Sequence, residues 1–228
     1  ETVFPCNAET TLVKRSQSSS EGPRISSLAK QVDAFFAKTV DDTRIDVHQE
    51  GQILMRTILD AGTGWKCDVH PQPTIDDLFL SIETARERNL RLCHLAGHGT
   101  KQGFVWNASE SATAAQHFEP APIARKLGAI SGANGPLHGV LLNACSTYEF
   151  GKLLIEHGVP FVVCWKTEVQ DETARELSRH FYRAVVDQKK HAYSVKDYQN
   201  AFLEATDLMR ASAYTKGFSK PLKSSLPT

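Results

Sequence analysis

Two short stretches end an apolar run in a residue able to do chemistry. Leu90-Arg91-Leu92-Cys93-His94-Leu95-Ala96 leads into Gly97-His98-Gly99. Gly139-Val140-Leu141-Leu142 leads into Asn143-Ala144-Cys145-Ser146-Thr147. A thiolate is a strong nucleophile, and an imidazole is suited to moving its proton near neutral pH. If each run is a buried strand, the two residues just beyond the strand ends can meet at one edge of a sheet. Cys145 is then the candidate nucleophile and His98 its candidate base. Attack on a carbonyl carbon creates an oxyanion that needs preorganised donors. Gly99, which has no Cβ, allows the backbone to come close to such a centre.

The elements that must position these residues can be read from periodicity. Residues 90–96 and 139–144 are unbroken apolar runs, which fits strands covered on both faces. Val159 to Trp165 reads as a third central strand. The apolar residues Leu28, Val32, Phe35 and Phe36 fall at helical spacing and predict a helix over 25–37. A second helix is predicted over 50–61, with Ile53, Leu54, Ile58 and Leu59 on one side and Gly62-Thr63-Gly64 ending it. Trp65 to His70 alternates as a strand.

Thr74 is placed to cap a helix carrying Asp76 and Asp77 in its first turn and then Leu78, Leu80, Ile82 and Ala85 toward Arg88. A short strand at 104–106 is followed by helices over 122–129, 150–157, 172–187 and 194–211, with a Gly-rich turn at 131–136. Residues 1–24 form a poorly specified start with a Ser-rich loop from Ser16 to Gly22. The core domain spans 25–212, and residues 213–228 form a flexible tail. Strands alternating with helices define an α/β fold, a three-layer sandwich with a mainly parallel central sheet. In such folds ligand sites lie outside the carboxyl ends of the strands, where His98 and Cys145 both fall.

Composition narrows the function classes. The 228 residues are 41% hydrophobic, which suits one large domain with a substantial core or two small ones. Formal net charge is zero, so no global field recruits nucleic acid or an anionic membrane. Five cysteines in irregular spacing, without a Cys-x-x-Cys pair, point to a reduced intracellular protein rather than a disulfide scaffold or a zinc site. Cys93 and Cys164 fall inside apolar runs as core residues. His94 and His98 lie four apart along an extended strand, about 13 Å at about 3.3 Å per residue, which is too far for one metal. No cofactor is expected.

The motifs resemble those of a known family. Cys145 lies 47 residues after His98; caspases place their histidine about 50 residues before the cysteine, and papain-like enzymes use the opposite order. Leu95-Ala96-Gly97-His98-Gly99 and Leu141-Leu142-Asn143-Ala144-Cys145 resemble the histidine and cysteine motifs of the CHAT domain, a branch of the caspase-hemoglobinase fold. The resemblance continues through Gly158-Val159-Pro160, Trp165, Asp171 and Phe181-Tyr182, and covers about residues 25 to 211.

It implies a cysteine endopeptidase that works through a thioester, with Gly99 N–H and Cys145 N–H as the oxyanion hole. By likeness to the related separase, Asp171 would bind the arginine of the substrate before the scissile bond. Glu168 competes for that role, and Trp165 would wall the same pocket. A carboxylate there pairs bidentately with arginine and less specifically with lysine, so cleavage after Arg or Lys is expected. The expected partners are a protein or peptide substrate and a regulatory protein or fused module.

Each residue also has a plainer use. Cys145 can be a core cysteine, His98 a loop residue bonded to a carbonyl, and Asp171 the cap of a helix starting near 172. His94 fits the core or a supporting role behind the site. His138 reads as a turn residue, Trp65 and Trp106 as packing residues, and segments 83–91 and 187–197 as solvated helix faces. A competing function is a non-catalytic adaptor that kept the fold, and a third is a protease latent until a partner acts.

Overall fold

A computed structural model describes residues 29–37, 47–62, 64–100, 103–107, 115–131, 135–187 and 194–215. The N-terminal segment, the Ser-rich loop and the tail from Lys216 lie outside the described residues, as does the middle of the 131–136 turn. In chain order the elements begin with β1 (Lys30–Phe36), α1 (Val47–Asp60), β2 (Trp65–Pro71), α2 (Ile75–Glu83), α3 (Ala85–Arg88) and β3 (Leu90–Ala96). A small hairpin unit follows: β4 (His98–Thr100), β5 (Gly103–Asn107) and β6 (Ala115–Phe118). The second half comprises α4 (Pro120–Ala129), β7 (Gly139–Asn143), α5 (Tyr148–Glu156), β8 (Val162–Val163), α6 (Asp171–Asp187) and α7 (Val195–Thr215).

The main sheet runs β2-β1-β3-β7-β8 with every pair parallel, while β4, β5 and β6 form a separate antiparallel sheet. Alternate strand residues feed two cores. Val32, Ala34, Phe36, Leu92 and Leu141 pack with Leu54 and Ile58 of α1, Leu177 and Phe181 of α6 and Tyr198 of α7. On the opposite face Phe35, Cys93, Leu95, Val140 and Leu142 pack with Leu78 and Ile82 of α2, Leu127 of α4 and Leu154 of α5. The result is a three-layer α/β sandwich with both sheet faces covered, as parallel sheets require. No helix among the described residues is long and apolar enough to cross a membrane.

Two expectations need correction. The predicted helix over 25–37 is, from Lys30 to Phe36, a strand paired on both edges. A short run buried on both faces satisfies helical and strand spacing alike, and here pairing with its neighbours decides. The 159–165 segment enters the ladder only at Val162 and Val163, and it lies at the sheet edge rather than in the centre. Leu59 and Leu80 are 63% and 61% exposed. On α1 the inward stripe is Glu50, Gly51, Leu54 and Ile58. Thr74 caps α2 as expected: its hydroxyl accepts from Asp77 N–H and the Asp77 carboxylate accepts from Thr74 N–H, a closed capping box.

Candidate active site

The chain turns sharply between β3 and β4, and glycine makes this possible. Gly97 takes φ +147°, and a Cβ there would collide with the Ala37 carbonyl. The next strand then passes over the turn that follows β7. A Cβ added at Gly99 would fall deep inside van der Waals contact of the Cys145 carbonyl oxygen and within 3.1 Å of both Ala144 Cβ and Thr147 Cγ2. The residue after His98 is thus packed directly on the backbone of Cys145. Two strand ends that run parallel in register (Ala96 beside Asn143) deliver the histidine and the cysteine to one edge of the sheet. Both residues are half-buried.

The Cys145 turn carries strain and is tightly held. Ser146 adopts φ +54°, a left-handed conformation that costs a non-glycine residue about 1 kcal/mol or more. Its N–H donates to the Thr167 carbonyl at 3.2 Å. The Thr147 hydroxyl donates to the Ala144 carbonyl at 3.1 Å and accepts from Trp165 N–H at 3.1 Å. Val169 N–H donates to Cys145 Sγ at 3.4 Å, and Sγ lies 3.7 Å from the Val169 carbonyl. The segment from Trp165 to Val169 is therefore laced onto the cysteine turn, and α5 begins just beyond that turn, at Tyr148.

Beneath the turn lies a buried polar cluster. Glu50 on α1 is 2% exposed, and its Oε1 accepts from Asn143 Nδ2 at 2.5 Å and from the Ser178 hydroxyl at 2.8 Å. Asn143 Nδ2 also reaches Ser178 Oγ at 3.2 Å, and Asn143 Oδ1 accepts from the Trp165 indole N–H at 3.0 Å. His94 is fully buried; its Nδ1 lies 3.2 Å from the Tyr182 hydroxyl. Its Nε2 lies 3.2 Å from Glu50 Oε1, close enough for charge pairing but off the line of a hydrogen bond. Burial alone pushes the Glu50 carboxyl up, and the His94 imidazole, Ser178 hydroxyl and Asn143 amide outweigh it, so the carboxyl sits below its ordinary value. Nothing in the local sequence marks Glu50 or Ser178, because their partners lie 93 and 128 residues apart along the chain. The position of Asn143 at the strand end was the only available signal.

The remaining candidates fall around the same turn. Glu168 is exposed, in the segment beside Cys145. Asp171 is the first residue of α6, so it lies inside the first turn rather than capping a helix that starts at 172, and it is ion-paired with Arg175 one turn on. Trp165 is 3% exposed, with its ring in the core and its indole N–H on Asn143. Among the described residues, the other thiols belong to the two cores or pack against them. Burial, with Asp33 and Asp68 adding negative charge, pushes Cys67 up to about 12, and burial also raises the Cys93 thiol well above its usual value. Cys93 and Cys164 are core residues, as expected, and the four described cysteines are free thiols.

Two plainer expectations change. His138 is not a mere turn residue: it is wedged between Arg91 and Tyr198 at the opposite end of the sheet. Within the charged 83–91 stretch, Arg88 does not simply face solvent, because it is ion-paired at 2.6 Å with the fully buried Asp33.

A parallel sheet between two helical layers, with a histidine strand stacked on a cysteine turn at its carboxyl edge, defines a caspase-like α/β domain. The chain belongs to the CHAT domain family, whose profile matches residues 7–215. That family is associated with the cysteine-peptidase-like fold. A search of curated proteins returns no match.

Proposed function

We propose that this CHAT domain is a cysteine endopeptidase with Cys145 as nucleophile and His98 as general base and acid. The observation that carries the reading is the stacking of the His98-Gly99 strand on the Cys145 backbone at the carboxyl edge of a parallel sheet. The Cys145 thiol proton passes to His98 as Sγ bonds to the scissile carbonyl carbon. The oxyanion is met by the backbone N–H groups of Gly99 and Cys145. Collapse expels the amine, protonated by His98, and leaves a thioester; water then hydrolyses the thioester and frees the thiol.

The specificity acid is Asp171, with Glu168 as its competitor and Trp165 behind them. Support for this comes from the chain path: Val169 touches Cys145 Sγ, and Asp171 follows two residues later. Asp171 already pairs with an arginine, its own Arg175, which is the pairing a substrate arginine would take over. The substrate is thus a protein or peptide cut after Arg, less readily after Lys, and a regulatory partner or attached module would control access.

The test combines a peptide library with an arginyl acyloxymethyl ketone probe on the full chain. Cleavage after basic residues and labelling confined to Cys145, both lost in Cys145→Ala, is the expected result. Undiminished cleavage by Cys145→Ala, or labelling elsewhere, would overturn the proposal.

A further inference from the structure

The cluster beneath the Cys145 turn does more than fill the core. Asn143 is the last residue of β7, two positions before Cys145, and it uses three of the hydrogen bonds open to its amide. Nδ2 gives one bond to Glu50 and one to Ser178, and Oδ1 takes one from Trp165. A carboxylate and a hydroxyl on one side and an indole N–H on the other fix which way the amide faces. Trp165 in turn opens the segment whose Val169 N–H lies on Cys145 Sγ. A continuous chain of contacts therefore runs from Glu50 on α1, through Asn143 and Trp165, to the sulfur.

We infer that Asn143, anchored on Glu50, is a positioning residue for the Cys145 thiol, acting through Trp165 and the 166–170 segment. The inference rests on Cys145 being the reactive group, but it does not depend on what the enzyme cuts. The physical logic is preorganisation. A strained turn with Ser146 at φ +54° keeps its shape only when its surroundings over-determine it. Here α1, α6, β7 and the segment after β8 all converge on one amide. Buried polar networks of this kind rigidify a unique arrangement only while each member stays satisfied.

The contribution of Glu50 is geometric. A glutamine in its place keeps Oε1 as the acceptor for both Asn143 and Ser178, with the same oxygen facing His94, and removes the charge. Trp165→Phe keeps a ring in the core and removes only the donor to Asn143. Asn143→Ala removes all three bonds. Charge acting directly on the thiol would make Glu50→Gln the most damaging change; positioning makes it the mildest.

The experiment is alkylation of the full chain with iodoacetamide at neutral pH, with the rate at Cys145 followed by peptide mass spectrometry. The buried Cys93 and Cys164 report in the same digest whether each variant is folded, because they react only when the core opens. Iodoacetamide is too small to use a substrate pocket, so a role for Trp165 in specificity does not interfere. The expected result is a change of at least about fivefold in the Cys145 rate for Trp165→Phe, a larger one for Asn143→Ala, and a rate within about threefold of wild type for Glu50→Gln.

Folded Trp165→Phe and Asn143→Ala variants with wild-type rates would overturn the inference, as would Glu50→Gln being the strongest of the three. Should Asn143→Ala expose Cys93, the order of the other two decides. Peptide turnover by the wild-type protein is measured alongside. Failure of turnover with altered alkylation counts against the protease reading alone, and intact turnover with unaltered alkylation counts against the positioning role alone.

Discussion

Acidification from about pH 8 to about pH 5 should destabilise this domain through His138. Arg91 Nη1 lies 2.6 Å from His138 Nε2, and the Tyr198 hydroxyl lies 3.4 Å from Nδ1. A guanidinium can only donate, so Nε2 must accept, and the single ring proton belongs on Nδ1, facing Tyr198. Protonating Nε2 would remove that acceptor and set a second positive charge against Arg91. Burial is the largest cause, the charges of Arg91 and Lys30 add to it, and His138 is lowered from 6.5 to about 4.

The unfolded chain takes up a proton at this position below about pH 6.5, whereas the folded protein refuses it until about pH 4. The stabilisation is therefore complete above pH 6.5 and is lost as the pH falls toward 4. At about 1.4 kcal/mol per pH unit, the displacement amounts to about 3 kcal/mol, of which about 2 kcal/mol is gone by pH 5. Urea unfolding of the wild type and His138→Gln across this range is the assay. The wild type should lose about 2 kcal/mol more than the variant between the two ends. Parallel pH profiles for the two proteins would refute the reasoning, since the glutamine cannot titrate.

Three further outcomes are expected. Gly99→Ala forces a methyl group into the Cys145 carbonyl and should slow probe labelling of Cys145 by about tenfold or more, with the α/β circular dichroism retained. Arg88→Met strands the Asp33 carboxylate in the core and should cost about 3 kcal/mol in denaturant unfolding, a loss that Asp33→Val in the same chain should largely recover. Asp171→Ala should reduce kcat/KM on arginine peptides by at least about tenfold while unfolding shifts by about 1 kcal/mol or less, because its pair with Arg175 is partly solvated; unchanged arginine cleavage would remove Asp171 from the specificity pocket.

The alternation of strands and helices, the parallel sheet and the two strand ends with His98 and Cys145 were legible in the sequence. The reason is local: unbroken apolar runs report burial on both faces, and glycine beside a histidine reports a close backbone approach. The Thr74 N-cap was legible for the same reason, since the Asp77 N–H it accepts from lies three residues on. The β1 strand was not, because a seven-residue segment buried on both sides carries no periodicity that separates strand from helix, and pairing with β2 and β3 settles it.

Polar residues divide along the same line. Sequence alone marked Cys145 and His98, whose chemistry announces them. It did not mark Glu50 and Ser178, which look like ordinary helix-surface residues until α1 and α6 close over the end of β7. Arg88 looked solvated until β1 brought Asp33 beneath it, and His138 looked like a turn until α7 set Tyr198 against it. A buried polar group survives only with partners, and here those partners come from distant parts of the chain. The sequence by itself therefore marked the candidates for the chemistry, and only the tertiary structure decided which polar residues gather around them.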